Sequence, residues 1–194
     1  MKMSLTLALV AAAFAIGTAS AQATGQEVQR NDNQQNRIEQ GLQSGQLSTK
    51  EASKLEKGEA HIDKMEANAN KNGGPTPQQA AAIQKAQNRE SNAISNDKHN
   101  AVTGNPNSAS SKRMQADVQR NANQQARIEN GVKSGQLTNK ETANLERGQS
   151  HVNKAEAKAG ANGHVSANEQ KNIQGRENHQ SDKVYNKKHN AKTT

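Results

Sequence analysis

Apolar side chains in this chain recur at alternating spacings of three and four, the period of a helix and not of a strand. Val28, Asn31, Gln35, Ile38 and Leu42 form one narrow stripe; Leu55, Gly58, Ile62, Met65 and Ala69 form a second. Ala80, Ile83, Gln87, Glu90, Ile94, Asp97 and Ala101 form a third. These stripes predict helices over roughly 27–43, 49–70 and 77–100. Helix punctuation fills the breaks. Gly45, then Leu47, then Ser48 three residues ahead of Glu51 reads as a turn that closes one helix and opens the next with a capping box, and Thr76 with Gln79 repeats the signal.

The whole pattern then returns. SGQLSTKE at 44–51 recurs as SGQLTNKE at 134–141, and GGPTPQQ at 73–79 has its counterpart in GHVSANE at 163–169, with Ser166 and Glu169 as the box. Arg30, Arg37, Ile38, Leu55, His61, Ile83, Ser91 and His99 match Arg120, Arg127, Ile128, Leu145, His151, Ile173, Ser181 and His189 without a gap. Val118, Ile128 and Val132, then Leu145, Val152 and Ala155, then Ile173 and Val184 restate the three stripes. The expected fold is all-α: helical repeat 1 at 27–101, a flexible linker at 102–116, and helical repeat 2 at 117–191. The linker reading rests on the Gly, Pro, Asn and Ser of VTGNPNSASSKR. Asn, Gln and Glu interrupt every stripe, so the two tandem three-helix repeats are expected to have thin apolar seams and to be marginally stable or partly disordered. Gly58 and Gly148 sit inside predicted helices at a cost of about 1 kcal/mol each against alanine; a close helix approach and a flexible point both account for them.

Composition sharpens this. Only 30% of the 194 residues are hydrophobic, and beyond residue 23 about 21 are Leu, Ile, Val, Met or Tyr, a level at which disorder competes with folding. Mean hydropathy is −1.12. The chain has no cysteine, which removes disulfides, thiol catalysis and thiolate metal sites. Residues 1–23 read as a secretory signal peptide: Lys2, an apolar run over 5–16, and Ala19-Ser20-Ala21 or Ala21-Gln22-Ala23 as the cleavage site. That run is too short to span a bilayer, so no transmembrane segment is expected and the protein is placed in the periplasm or outside the cell. The formal charge is +8, and it is uneven: residues 27–101 balance to zero while 117–191 carry +4. Weak contacts of the second copy with an anionic envelope component follow. Tyr185 is the one aromatic beyond the leader, so base stacking and sequence-specific nucleic-acid recognition are excluded.

Candidate chemistry is sparse. The chain shows no Gly-rich phosphate loop, no His-Glu-x-x-His run and no Gly-x-Ser-x-Gly elbow. A carboxyl acting as general acid needs dry surroundings, and the apolar content is not expected to build them. No enzyme activity and no cofactor are expected. The turns share spacing with calcium-binding EF-hand loops. Asn68, Asn70, Asn72, Gly73, Thr76 and Gln79 occupy the loop's ligand and glycine positions, but those ligands are neutral, and the second copy has Lys158 first and Glu169 last. Of six histidines, His61, His99, His151 and His189 pair between copies and could take zinc or copper. No histidine lies four residues from His61 or His151, and His61 has Lys57 and Lys64 on its side of the helix. His99 and His189 stand where a histidine favours a helix C-terminus. The metal candidates are therefore His61, His99, His151, His189, Asn68, Asn70, Asn72 and Glu169.

RIEQGLQSGQLSTKEASKLEKGEAHIDKMEANA at 37–69 and RIENGVKSGQLTNKETANLERGQSHVNKAEAKA at 127–159 resemble the repeat of small uncharacterised exported proteins of Gram-negative bacteria. That resemblance implies a periplasmic location and no particular activity. A looser, compositional likeness is to hydrophilins and late-embryogenesis-abundant proteins, from which the chain departs in its well-marked capping boxes. The expected function is surface interaction or protection in the cell envelope, with an anionic component, another protein or a second copy as partner. The alternative is low-affinity binding of calcium, zinc or copper through the loops or the paired histidines.

Overall fold

The computed structural model describes residues 8–191, with side chains from residue 22 onward. Six helices follow in order: α1 (Ala8–Ser44), α2 (Thr49–Asn70), α3 (Pro77–Lys98), α4 (Ala109–Lys133), α5 (Asn139–Gly160) and α6 (Ala167–Lys188). The described residues contain no strand, so the fold is all-α, as the three-and-four spacing predicts. Residues 1–7 of the expected leader lie outside the described residues, and 8–23 run on into α1. Among the described residues no helix is long and apolar enough to cross a membrane.

All four predicted capping boxes form. Ser48, Thr76, Thr138 and Ser166 each accept from the backbone N–H three residues on, while Glu51, Gln79, Glu141 and Glu169 each accept from the cap's own N–H. The SGQL turn has a specific geometry. Gly45 adopts φ 76° and Gly135 φ 72°, the left-handed region, and the amides of Leu47 and Leu137 then donate back to the carbonyls of Gly41 and Gly131 at 2.9 and 3.0 Å. This folds each leucine over a glycine whose missing Cβ leaves room for it.

Residues 102–116 differ from the flexible linker expected there. Ser108 caps α4 by accepting from the Ser111 N–H, so the helix already includes the last eight of those residues, and Met114 is fully buried. The amide of Gly104 donates to the Gly45 carbonyl at 2.8 Å, which ties the remaining loop to the SGQL turn.

The two repeats pack against each other along most of their length. Ser150 Oγ donates to the Ala60 carbonyl, Asn153 Nδ2 to Asp63 Oδ2, and the backbone of Gly160 meets Thr49 and Ser53. Residues 49–53 of α2 thus lie against residue 160 of α5 while 60–63 lie against 150–153, so α2 and α5 are antiparallel. Likewise α1 and α4 are antiparallel: Gln115 reaches the Leu42 carbonyl at one end, and Gly25 faces Val132 at the other. Residues 90 apart thereby become related by an approximate two-fold axis. α1, α2, α4 and α5 form the inner layer, with α3 lying on α1 and α2, and α6 on α4 and α5.

Apolar side chains gather at the two ends of this bundle. Ile38, Leu42, Leu47, Leu55, Met114, Val118 and Ile173 belong to one cluster, Val28, Ile128, Leu137, Leu145 and Val184 to the other. Between these plugs the interior is mostly polar, with Ile62, Ile83 and Val152 buried outside both clusters. Gly58 and Gly148 mark where α3 and α6 close over the middle: a Cβ at either would collide with the side chain of Glu90 or Gln180. The Glu90 and Gln180 side chains of the overlying helices thus occupy the space that a Cβ would take at either glycine.

Candidate metal centre

The polar middle is a seam of carboxyls on the facing sides of α2 and α5. Glu56, Glu59, Asp63 and Glu66 share one face of α2, at steps of three, four and three; Glu146 and Glu156 come from α5. All six are between 0 and 2% exposed. Twelve acidic side chains are buried among the described residues, and no lysine, arginine or histidine is. Acids are rarely buried unless paired; Glu129, Glu141 and Glu177 have ion pairs with Lys133, Lys187 and Arg120, whereas the six seam acids are accommodated without one.

Amides hold the seam in place. Asn31 on α1 donates to Glu66 Oε2 at 2.8 Å and to Asp63 Oδ1 at 3.3 Å, and Gln35 donates to Glu56 Oε2 at 3.0 Å. From α3, Gln87 donates to Glu66 Oε1 at 3.1 Å, to Asn31 Oδ1 and to the Glu27 carbonyl. The second copy repeats the scheme: Asn121 donates to Glu156 Oε2 at 3.1 Å and Gln125 to both oxygens of Glu146 at 3.2 and 3.3 Å. The Asn and Gln residues that interrupt the apolar stripes of α1 and α3 are therefore the inner lining itself.

Three of the acids converge. Asp63, Glu66 and Glu146 each offer an oxygen, and these oxygens lie within 4.8 Å of one another. Two ligands on opposite sides of a calcium ion at 2.3–2.6 Å stand about that far apart. Glu59, one turn before Asp63, is fully buried with no hydrogen-bond partner on either oxygen. An all-oxygen donor set with amides fixing the carboxylates fits a hard cation such as calcium or manganese, not the softer metals that favour sulfur or imidazole.

Burial controls the protonation of this seam. It pushes Glu56 up to about 7 and Glu146 up to about 8, against the hydrogen bonds from Gln35 and Gln125, which favour the charged forms. Glu59, Asp63, Glu66 and Glu156 are pushed well above the usual carboxylate range, by burial first and then by the neighbouring acids. Dry surroundings for carboxyls, which the low apolar content argued against, are thus present. Amide side chains and the two apolar plugs exclude water here, in place of the bulk apolar mass that a dry pocket was expected to need.

The residues singled out from the sequence lie elsewhere. His61, His99, His151 and His189 are exposed on the bundle's outside. The rings of His99 and His189 contact the carbonyls of Ser95 and Tyr185 at 2.7 Å, as helix-end side chains do. Asn68 and Asn72 are exposed; Asn70 is buried and bonded to the Glu66 carbonyl and Thr24. Glu169 is occupied in its capping box. None of these eight residues belongs to the converging group Asp63, Glu66 and Glu146. A signal for that group existed in the sequence, since 56, 59, 63 and 66 keep the period of a buried seam, but an acidic stripe reads as a solvated face until a partner helix is known to cover it.

No protein-family model matches the chain, no curated protein matches it, and no solved structure matches its fold.

Proposed function

We propose that the protein is an exported, non-enzymatic binder of a hard divalent cation, held between α2 and α5. One observation carries this reading: Asp63, Glu66 and Glu146 converge in full burial with no buried base to neutralise them. Ionised carboxylates cannot share such a space without a counter-charge. Burial keeps protons on these groups well above the usual carboxylate range, and a multivalent cation that enters takes the place of those protons. The acids of the seam are 0–2% exposed, which leaves no room for an organic substrate. The leader pattern at 1–23 and the likeness to exported repeat proteins support a location in the cell envelope. The ligands are the helix-borne acids; the turns act as helix caps and the histidines as surface groups.

The test is calorimetric titration of the EDTA-stripped protein with calcium and with manganese at pH 7.5, paired with thermal melts. Free ion at a hundred times Kd stabilises by about 2.7 kcal/mol, which in a chain of this length raises Tm by roughly 5–10 °C. Glu66→Gln removes the response. A melt unmoved by either ion at millimolar concentration refutes the proposal.

A second reading rests on the outer face of α5 and α6. His151 is held below its usual range by burial and by Lys154, Arg176, Lys183 and Arg147 around it. Copy one has Ala86 and Ala93 where copy two has Arg176 and Lys183. This cationic face is where the protein would meet an anionic envelope component. Binding to anionic vesicles that is lost in Arg176→Ala/Lys183→Ala supports it; equal retention by the variant rules it out.

A further inference from the structure

Between α5 and α6 a groove opens on the outside of the bundle, and its two hollows meet at Arg176. One, of about 410 Å³, is lined by Ala155, Ala159 and Ile173, with Lys158, Glu169 and Asn172 beside them. Lys158 and Glu169 offset each other in charge, and the Glu169 carboxylate is held by Ser166. The other, of about 270 Å³, is lined by His151, Val152, His179, Gln180 and Lys183, and by no acid. Among the described residues neither Arg176 nor Lys183 has an ion pair. The groove thus joins an apolar compartment to an uncompensated cationic one.

Copy one is the control within the same chain. Glu90 lies against Gly58 as Gln180 does against Gly148, and Ile83 and Ile173 are equally buried, so α3 sits on α2 as α6 sits on α5. Yet copy one has Met65 in the place of Ala155, Ala86 in that of Arg176, Glu90 in that of Gln180 and Ala93 in that of Lys183. The longer Met65 side chain stands where copy two leaves its apolar hollow. An acid and two alanines stand where copy two has a neutral amide and two cations. Arg89, in the place of His179, is the change in the opposite sense.

We infer that this groove binds a monomeric single-chain amphiphile with a phosphate head, the phosphate between Arg176 and Lys183 and the chain over Ala155, Ala159 and Ile173. The guanidinium fork matches phosphate oxygens two at a time, and the lysine adds a point charge. Apolar walls with a few convergent polar groups are the usual build of a small-ligand site. This rests on the cationic-face reading above and narrows it. A bilayer surface would need only charge, or an apolar side chain projecting into it. The exposed large apolar side chains among the described residues are Val102 and Tyr185, and neither lines the groove. Its apolar surface is recessed instead, which suits one chain entering.

The experiment is calorimetric titration of the full protein with octyl phosphate below its micelle concentration, and separately with inorganic phosphate and with anionic phospholipid vesicles. Octyl phosphate is expected to bind as a single molecule per chain, more tightly than inorganic phosphate. Ala155→Met puts copy one's residue into the apolar hollow and leaves every charge in place. It should weaken octyl phosphate by roughly tenfold and leave inorganic phosphate and vesicle binding unchanged, which also shows the variant folded. Arg176→Ala/Lys183→Ala restores copy one's residues in the other hollow and should weaken octyl phosphate by roughly tenfold to a hundredfold. Octyl phosphate that binds Ala155→Met as tightly as the wild type, or that does not bind the wild type, overturns the groove. Vesicle binding by the wild type in that case leaves the cationic-face reading standing, and its absence removes both.

Discussion

Replacing Glu177 with glutamine tests the energetics of the seam in the absence of any ion. The fold already contains the control, because Gln87 occupies the equivalent place in copy one and makes three hydrogen bonds there. Burial first, and then Asp117, push Glu177 up to about 8 despite Arg120. An unfolded glutamate titrates near 4.5. At pH 7.5 the folded state therefore holds this group uncharged against its free tendency. The cost is about 4 kcal/mol, since each pH step between the unfolded titration and pH 7.5 adds about 1.36 kcal/mol. Glutamine removes that cost. The pairing of the half-exposed Arg120 with the charged fraction of this carboxyl is lost, worth at most about 1 kcal/mol. The net expectation is a gain of about 3 kcal/mol at pH 7.5, a rise in Tm of roughly 6–12 °C. At pH 4 the carboxyl is protonated in both states, and the gain shrinks to about 1 kcal/mol or less, the worth of one added hydrogen bond. Urea unfolding followed by circular dichroism at 222 nm, in EDTA at both pH values, measures this difference. An equal effect at pH 4 and 7.5, or a loss of stability at pH 7.5, would refute the argument that Glu177 is a destabilising buried acid.

The whole apo protein should lose stability as pH rises from about 5 to 8. Glu27, Glu56 and Asp117 are pushed up to about 7 and Glu90 and Glu146 to about 8, so in this window the folded chain keeps protons that the unfolded chain has released; a Tm in EDTA that stays flat or climbs across the window contradicts this. Saturating calcium should flatten the slope, because the ion takes the place of protons that the folded chain otherwise keeps, and melts at pH 5 and 8 compare the two directly. Leu137→Ala empties a 1% exposed side chain from the apolar plug around Val28 and Ile128 and should cost about 2–5 kcal/mol, seen as a lower urea midpoint at every pH. The quadruple replacement of His61, His99, His151 and His189 by alanine should leave the calcium isotherm unchanged, whereas a loss of binding would return the ligands to the bundle surface.

Local structure was legible from the residues because it is set by local rules. Gly45 and Ser48 with Glu51 place a turn and a cap wherever they occur, so α2, α3, α5 and α6 begin at the predicted residues. The exact repeat of period and punctuation at 90 residues established that two alike helical units exist. Asn31, Gln35 and Gln87 were correctly placed on the inward faces, as stripe positions, by spacing alone.

How the units meet was not in the spacing. Within repeat 1, α1 and α3 meet Glu56, Asp63 and Glu66 through the amides of Asn31, Gln35 and Gln87, and nothing in the spacing says that a second acidic helix, α5, closes the other side. The antiparallel docking of α2 on α5 covers that side, and the docking depends on complementarity over many residues distant in sequence, which no local rule reports. Solvation is a property of the assembled surroundings. The sequence by itself determined helices of which four open on capping boxes, two copies and a scarcity of apolar residues; the tertiary structure decided that most of the scarce large apolar residues gather at the ends and that the acids of α2 and α5 lie between, removed from water and in need of protons or a cation.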